Sequence, residues 1–289
     1  MAKILIIGAD GQLGSDLMRV FGNAATGLTH KDIEVIDERQ SQAVIENQQP
    51  EIVVNTAAIV KSEWCEQNAG ICFKVNAEGA GNVAQAAAVA GAAVVFLSTD
   101  YVFDGSKNGF EESDLPKPLN VYGASKLAGE NFTKSRNPQY YLIRSSWFFG
   151  DRPPHKGLDF PRKILELAKN GKEIRMVNDQ LGSPTYTKDL AEKIKELIER
   201  RAPYGIYHIT NQGYCSWYEF AKKILELVGS QARLVPISSA VSLSKIKRPT
   251  NSVLINTKIR VLGMAPLRPW PEALAEYLNN LGVLRASQT

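Results

Sequence analysis

Short, predominantly apolar runs alternate with alanine-rich or helically periodic segments through the first half of the chain. The runs have the length of single buried strands, and they are Ile4–Ile7, Ile52–Asn55, Val94–Ser98 and Tyr140–Arg144. Segment 76–90 has the length and composition of a helix. Strands that are apolar on both faces are typical of parallel sheets covered by helices. The pattern therefore predicts an α/β fold with a Rossmann-like, doubly wound parallel sheet.

The pattern changes at the polar, proline-rich segment 151–157. Beyond it, periodicity predicts helices over 160–170, 188–200 and 217–228, the last capped by Ser216. We expect residues 1–150 to form the sheet domain, with a helix near 187–202 returning to it. Residues 151–289 are expected to form mainly a smaller C-terminal α/β domain that closes over the ligand edge of the sheet.

Composition is that of an ordinary globular protein. The 289 residues are 44% apolar and 22% charged. The net charge of +4 comes from 34 basic and 30 acidic residues, an excess too weak to indicate nucleic-acid binding. Cys65, Cys72 and Cys215 form no CxxC motif, so free thiols and a cytoplasmic location are expected. No apolar run reaches 18 residues and no signal-peptide core is evident, so we expect no membrane attachment.

A glycine-rich loop follows the first predicted strand directly. Gly8, Gly11 and Gly14 form a GxxGxxG motif that opens a helix. Glycine lets the backbone approach a pyrophosphate closely, and a helix N-terminus presents free N–H groups to that anion. The loop predicts dinucleotide binding through these glycines and the backbone of Gln12 and Leu13. The alternative is a purely structural turn between strand and helix.

The end of the second strand bears on the choice of dinucleotide. This strand is poorly marked and should end near Leu28–Thr29, where an acid would usually hold the adenine-side ribose diol. The first acid is Asp32, and His30 and Lys31 could pair with a 2′-phosphate instead. The segment therefore favours NADPH over NADH, with an ordinary solvated turn as the alternative.

A tyrosine and a lysine lie four residues apart at Tyr122 and Lys126. On a helix they share one face, and a neighbouring ammonium favours the phenolate, so the pair can exchange protons near neutral pH. Thr99 directly follows the Val94–Ser98 run, at the carboxyl end of that predicted strand. Open α/β sheets bind ligands at this edge, so Thr99 could hydrogen bond a carbonyl oxygen beside Tyr122.

Together these motifs resemble the extended short-chain dehydrogenase/reductases and, more narrowly, the dTDP-4-dehydrorhamnose reductases. The matching segments follow in order along nearly the whole chain: 98–105, 120–123, 126–130, 144–147, 178–185, 205–208 and 248–252. The resemblance implies reduction of the 4-keto group of a dTDP-linked 4-keto-6-deoxy sugar by NADPH or NADH, giving dTDP-L-rhamnose.

The same resemblance assigns roles to individual side chains at the reacting centre. Tyr122 would protonate the sugar O4, Lys126 would hold the nicotinamide ribose, and Thr99 would steady the carbonyl oxygen. Further contacts with the sugar nucleotide are implied for Asp100 and Trp147. Arg248 is a candidate for the diphosphate, because a guanidinium binds phosphate through two hydrogen bonds. A core tryptophan and a solvated loop arginine are the alternatives for these last two.

On the cofactor side the resemblance implies a lining by Ala57, Ala58, Ile59 and Val60. It also places Asp37 and Glu38 near the adenine, with an ordinary surface role as the alternative, and makes Asn76 a support of the site.

One difference from the family concerns a metal site. Some family members hold a divalent cation between two subunits through three carboxylates, and those positions here are Asp16, Lys188 and Asn280. One carboxylate cannot hold such an ion. No metal is therefore expected, and the chain could be a monomer or a homodimer.

Two alternatives to the reductase remain. The first is another sugar-nucleotide enzyme of the superfamily, an epimerase or a dehydratase, although Asp100 is followed by Tyr101 rather than by the glutamate of a dehydratase. The second is a non-catalytic regulatory subunit with the same fold.

Overall fold

The computed structural model describes residues 2–153, 157–171, 173–241 and 246–284. Residues 154–156 of the proline-rich segment and the last five residues lie outside the described part. The helices are α1 (Gln12–Phe21), α2 (Glu38–Gln48), α3 (Ser62–Gln67), α4 (Ala69–Phe73), α5 (Ala80–Val89), α6 (Val121–Arg136), α7 (Phe160–Lys169), α8 (Thr187–Glu199), α9 (Trp217–Leu227), α10 (Thr257–Val261) and α11 (Trp270–Asn280). The strands are β1 (Ile4–Ile7), β2 (Ala25–Leu28), β3 (Ile52–Asn55), β4 (Ala93–Thr99), β5 (Tyr140–Ser145), β6 (Phe148–Phe149), β7 (Ile174–Val177), β8 (Leu181–Gly182), β9 (Thr185–Tyr186), β10 (Gly205–His208), β11 (Cys215–Ser216) and β12 (Leu234–Ile237).

A six-stranded parallel sheet organises the first half of the chain, with the strand order β10-β5-β4-β3-β1-β2. The predicted α/β, Rossmann-like fold is confirmed. Strand β1 lies inside the sheet and all four of its residues are buried, as its uniformly apolar sequence requires.

Helices cover both faces of this sheet. Ile4 and Ile6 pack into one core with helices α1 and α8, whereas Leu5 and Ile7 pack into a second core with α2 and α5. Successive side chains of a strand point to opposite faces, so β1 contributes to both cores. This arrangement directs the carboxyl ends of the strands to one open edge, where the glycine loop and Thr99 lie.

Elements of the second half return to the sheet. Helix α8 supplies Leu190 and Ile194 to the core beneath the sheet, at the place predicted for a returning helix. Strand β10 also pairs with β5, an addition that the apolar pattern does not predict. Phe149, Phe220 and Leu274 belong to a separate core formed mainly by the second half. The division into two domains at residue 150 stays a prediction.

Helices α7, α8 and α9 match their predicted positions to within one residue, whereas α10 and α11 were not predicted. Ser216 caps α9 as expected, because its hydroxyl accepts the Glu219 N–H while Glu219 accepts the Ser216 N–H. Helix 76–90 instead begins with a π-helical turn over 74–79 and continues as α5. Across the described ranges, none of the helices has both the length and the apolar content needed to cross a membrane.

Candidate active site

The glycine loop connects β1 to α1 by a turn that side chains would obstruct. Gly8 has a φ of 82°, and a Cβ there would lie 2.6 Å from Thr56 Oγ1. A Cβ at Gly14 would collide with the Gly8 carbonyl. The N-cap of α1 is Gly11, and no acidic residue lies in the first turn. The loop therefore leaves the helix N-terminus open to an anion, as a pyrophosphate requires.

A cleft of about 1110 Å³ opens at this loop. Most of the predicted cofactor residues lie together in its wall: Gly8, Gly11, Gln12, Leu13, Gly14, His30, Ala57, Ala58, Ile59, Val60, Tyr122 and Lys126. The wall is largely apolar with a smaller polar part, a form typical of small-molecule sites. The glycine cradle and the cleft fit a dinucleotide.

Asn76 supports the cleft wall from behind. Its side-chain oxygen accepts the Ile59 N–H at 2.7 Å, and its amide nitrogen donates to the Ile59 carbonyl at 2.9 Å. The same nitrogen donates to Ser125 Oγ at 3.0 Å. Asn76 is completely buried on the π-helical turn and therefore joins the β3 loop to the helix that carries Tyr122 and Lys126.

His30, which was expected to meet the adenosine 2′-phosphate, lies in the cleft wall but faces a carboxylate. Its Nδ1 is 3.5 Å from Glu34 Oε2, and Glu34 also lines the cleft. Asp32 instead turns to Thr29, accepting its N–H and hydroxyl at 2.8 and 2.7 Å. No motif in the sequence points to Glu34, which places negative charge where a 2′-phosphate was expected to meet only His30 and Lys31.

Asp37 and Glu38 do not line the cleft. The Asp37 carboxylate accepts the Gln40 N–H at 3.0 Å and caps α2, and Glu38 lies in the first turn of that helix. Glu34 and Ile36 occupy the cleft wall in their place. Capping the helix explains an aspartate at position 37 without any contact with a cofactor.

Thr99 and Tyr122 meet at the carboxyl edge of the sheet. Their side chains are hydrogen-bonding neighbours, and the Thr99 hydroxyl also donates to Asp100 Oδ1 at 3.0 Å. Tyr101 packs edge-on against the Tyr122 ring, with centroids 5.9 Å apart. Burial raises the pKa of Tyr122 despite the lowering effect of Thr99, so the phenol is neutral and able to donate a proton.

Lys126 lies one helical turn beyond Tyr122 and is only 3% exposed. Its Nζ is 4.2 Å from the centre of the Phe96 ring. Burial lowers the pKa of Lys126 to about 7, while the Glu130 carboxylate acts in the opposite direction. The lysine can therefore change its protonation near neutral pH.

Asp100 is buried with one carboxylate oxygen unpartnered. Oδ1 accepts from Thr99, whereas Oδ2 has no hydrogen-bond partner within the described part of the chain. Burial raises the pKa of Asp100 to about 7, against the lowering effects of the Ser252 and Thr99 hydroxyls. An orphaned acceptor beside Thr99 suits a hydroxyl-bearing ligand, because binding would satisfy it.

Trp147 follows strand β5 and packs against the core formed mainly by the second half of the chain. Its indole stacks on that of Trp217, with centroids 3.4 Å apart and planes 8° from parallel. Its φ is 49°, a left-handed conformation that is unfavourable for a bulky residue. A Cβ at Gly182 would collide with the indole, so the glycine of segment 178–185 makes room for it. Trp147 is outside the cleft wall, although its neighbour Phe148 lines it.

Arg248 is engaged by protein groups on the substrate side. Its guanidinium donates to the Glu63 carboxylate and also hydrogen bonds the Tyr101 side chain. Tyr101 in turn packs against Tyr122. Arg248 is thus close to the reacting edge, but a ligand diphosphate would have to share it with Glu63.

The three positions that the resemblance links to a metal, Asp16, Lys188 and Asn280, are engaged in other interactions. Asp16 accepts the Thr187 hydroxyl at 2.5 Å, and Lys188 and Asn280 make side-chain contacts of their own. The further partners of Asp16, Lys188 and Asn280 are Arg19, Glu276 and Tyr186, respectively. In the described ranges no group of three or more His, Cys, Asp or Glu side chains could hold a metal ion.

Several side chains of the site escaped the sequence analysis. Ser98 lines the cleft and donates to Glu130 at 2.6 Å, and Glu130 binds Arg144. All three lie in segments that carry the resemblance to the family. The sequence therefore indicates these residues but not the contacts between them. Trp64 and Ile71 also line the cleft, although no motif points to either.

Comparisons with known proteins identify relatives over almost the full length. The model of the RmlD substrate binding domain family matches residues 2–283. The spore coat polysaccharide biosynthesis protein SpsK of Bacillus subtilis is 40% identical over 282 residues, covering 96% of this chain and 97% of that protein. A dTDP-4-dehydrorhamnose reductase of Aggregatibacter actinomycetemcomitans is 34% identical over 291 residues, covering 95% and 97%.

A solved structure agrees in fold as well as in sequence. The crystal structure of dTDP-4-dehydrorhamnose reductase from Bacillus anthracis, in complex with NADP, superposes with a TM-score of 0.91 at 35% identity. The match covers 96% of this chain and 99% of that one. With the glycine cradle and the Thr99, Tyr122 and Lys126 cluster, these comparisons establish that the chain belongs to the RmlD substrate binding domain family.

Proposed function

We propose that this protein uses NADPH or NADH to reduce the 4-keto group of dTDP-4-dehydro-L-rhamnose, forming dTDP-L-rhamnose for cell-surface polysaccharide synthesis. The observation that carries the proposal is that Tyr122 and Lys126 line a dinucleotide-sized cleft while Thr99 hydrogen bonds to Tyr122. Relatives with this named activity over nearly their full length support it.

The glycine loop and the N-terminus of α1 would hold the cofactor pyrophosphate, and Lys126 would bind the nicotinamide ribose. When bound, the reduced nicotinamide supplies the hydride. Thr99 would orient the sugar carbonyl by hydrogen bonding to its oxygen. Tyr122 would give its phenolic proton to the developing alkoxide at O4, and the Lys126 ammonium would stabilise the phenolate that remains.

The sugar nucleotide would lie on the side of Asp100 and Arg248. Asp100 offers an unpartnered buried oxygen that suits a sugar hydroxyl. Arg248 provides a guanidinium beside Tyr101 that suits the diphosphate. Trp147 would act mainly by holding Phe148 and the strand edge in position.

NADPH oxidation measured against a panel of 4-keto-6-deoxy sugar nucleotides tests this proposal. We expect the dTDP-linked L-sugar to be turned over with the highest kcat/KM, and Tyr122→Phe to abolish most of that rate. Absence of turnover with every member of the panel, by a protein that still binds NADPH, would favour the regulatory subunit. Interconversion of sugars without net NADPH oxidation would favour an epimerase.

A second candidate is the reductase of a different hexose in spore-coat polysaccharide synthesis. The 40% identity to SpsK supports it. The same panel decides between the two, because only the sugar configuration differs. We further propose a cytoplasmic location, in keeping with three free cysteines, and a monomer or homodimer as the working form.

A further inference from the structure

Two buried cysteines lie against each other behind the cleft wall. Cys65 of α3 and Cys72 of α4 are both completely buried, and their sulfur atoms are 2.8 Å apart. A disulfide bond has an S–S distance of about 2.05 Å, so the two sulfurs need to approach by only about 0.8 Å to form one. Neither thiol takes part in the proposed reduction.

Polar hydrogens converge on Cys72 rather than on Cys65. The Asn76 amide nitrogen, which can only donate, lies 3.4 Å from Cys72 Sγ. Ser125 Oγ lies 3.2 Å away and can direct its hydrogen either to this sulfur or to the Tyr122 carbonyl. In the neutral pair the Cys72 thiol donates to Cys65 Sγ. Once Cys72 has lost its proton, the Cys65 thiol can donate to it instead, so these surroundings favour a thiolate at Cys72.

Electrostatics support the same asymmetry. The hydrogen bond with Cys65 lowers the pKa of Cys72, helped by Ser125 and by the Lys126 ammonium, while burial opposes the change. The pKa of Cys65 is raised by the same hydrogen bond and by burial. The other charged groups that act on the pair are Glu63 and Glu66 of α3.

We propose that Cys72 is a site of oxidation by hydroperoxides and that Cys65 is its resolving thiol. The Cys72 thiolate attacks one peroxide oxygen, forming a sulfenic acid and releasing water or an alcohol after proton uptake. Cys65 sulfur then attacks the Cys72 sulfur, the S–S bond forms, and the sulfenic oxygen leaves as water. Two thiols are oxidised and one peroxide is reduced.

A small hydroperoxide can approach from the cofactor cleft. Trp64 and Ile71, which precede the two cysteines in sequence, both line that cleft. Helices α3 and α4 have only six and five residues, so a brief opening between them requires little structure to be broken. Bound NADP⁺ would cover this wall and should slow the oxidation.

Oxidation of the two cysteines would affect the active site by changing the pKa of Lys126. A Cys72 thiolate raises the pKa of Lys126, and a disulfide carries no charge. Loss of that charge lowers the pKa of Lys126 and reduces its protonated fraction above neutral pH. We therefore expect the disulfide form to bind NADPH with a higher Kd than the reduced form at pH 8. The difference should be smaller at pH 6, where Lys126, with a pKa of about 7, is mainly charged in both forms.

Peptide mass spectrometry of the folded full-length protein tests the chemistry. Trypsin should release residues 62–74 as one peptide, because no Lys or Arg lies between Lys61 and Lys74. After hydrogen peroxide and alkylation, we expect this peptide to have lost two hydrogens and to carry no alkyl label, and dithiothreitol should reverse the change. Cys215, in the core of the second half, should remain alkylatable under the same conditions.

Single variants separate the two roles. In Cys65→Ser, dimedone should trap a sulfenic acid on Cys72, whereas in Cys72→Ser it should not label Cys65. Cys65→Ala and Cys72→Ala repeat the comparison without a new hydroxyl, and circular dichroism checks that each variant is folded. Cys215→Ser is the matched control and should form the disulfide at the wild-type rate.

Fluorescence titration with NADPH, without any sugar substrate, measures the consequence for binding. Its outcome is independent of the proposed reductase activity. Full alkylation of both thiols in peptide 62–74 after the peroxide treatment would overturn the proposal. Equal dimedone labelling of Cys65 and Cys72 in the single variants would do so too, and an unchanged Kd at pH 8 would remove the link to Lys126.

Discussion

Arg144 and Glu130 form a buried two-point ion pair directly beneath the active site. Arg144 Nε and Nη2 donate to the two carboxylate oxygens at 2.9 and 2.7 Å, and both side chains are at most 1% exposed. Glu130 also accepts the Ser98 hydroxyl, and it lies one turn after Lys126 on α6. The pair therefore connects β5, the end of β4 and the helix that carries the proposed proton donor.

Removing one partner of this pair should be far worse than removing both. Arg144→Met leaves Glu130 buried and unpaired, which typically costs about 3–5 kcal/mol in the free energy of unfolding. We expect the double variant Arg144→Met/Glu130→Leu to recover much of that loss, measured by urea unfolding. Equal destabilisation of both variants would show that packing of Arg144 over Phe103, at 5.1 Å, is the larger contribution.

The proton donor can be tested at Tyr122. Tyr122→Phe removes the hydroxyl but keeps the ring that packs against Tyr101. Folding and NADPH affinity should be nearly unchanged, while kcat falls by about 10²–10⁴, the usual contribution of positioned acid–base catalysis. Tyr101→Phe is the matched control and should retain most of kcat. A Tyr122→Phe variant with more than half the wild-type kcat would exclude this residue as the donor.

Asp100 should make stability depend on pH. Its pKa is about 7 in the folded protein and near 3.8 when unfolded, so between these values the folded state holds a proton that the unfolded state has lost. Stability should therefore fall as pH rises from 4 to 7 and then level off, by up to about 4 kcal/mol for three pKa units.

Asp100→Asn has nearly the same shape and cannot ionise. It should be more stable than wild type at pH 8, and the difference should shrink towards pH 5. Urea unfolding of both proteins at these two pH values provides the measurement. A variant that is less stable at pH 8 would show that the Asp100 carboxylate is charged and well solvated when the protein is folded.

Cofactor preference should respond to Glu34. Its carboxylate faces His30 in the cleft wall, so it should repel a 2′-phosphate and compete with it for the His30 imidazole. Glu34→Gln should raise the ratio of kcat/KM for NADPH to that for NADH by about 1.5- to 5-fold, the size expected for an exposed charge. His30→Gln should change the ratio in the opposite direction. If Glu34→Gln lowers the ratio, Glu34 does not face the 2′ position.

The sheet and the glycine loop were predictable because their determinants are local. Strand β1 is apolar throughout and is buried throughout, whereas β2, with the sequence ATGL, is mostly half-buried and gave a weak signal. Strand β10 was missed because its pairing with β5 depends on the return of the chain from the second half. No local pattern marks such a long-range pairing.

The side chains proposed to react could be named as a set from the sequence, but their environments could not. Thr99, Tyr122 and Lys126 follow from motifs, while the left-handed backbone of Trp147 and the space left by Gly182 exist only in the folded packing. The same holds for the Cys65 and Cys72 contact, because seven residues of sequence separation do not reveal that two short helices bring the sulfurs together.

The glycine cradle gives the sharpest test of cofactor binding. A Cβ at Gly14 would collide with the Gly8 carbonyl, so Gly14→Ala must move the loop away from the position that a pyrophosphate needs. Gly70→Ala is the matched control, because Gly70 lies in helix α4 and a Cβ there meets nothing within 4 Å. The Gly70→Ala substitution should stabilise the protein by up to about 1 kcal/mol, the difference in helix propensity between glycine and alanine. It should leave the affinity for NADPH unchanged. We expect Gly14→Ala to weaken NADPH binding at least tenfold in fluorescence titration, corresponding to about 1.4 kcal/mol. Wild-type affinity in a folded Gly14→Ala protein would place the cofactor phosphates elsewhere than at this loop.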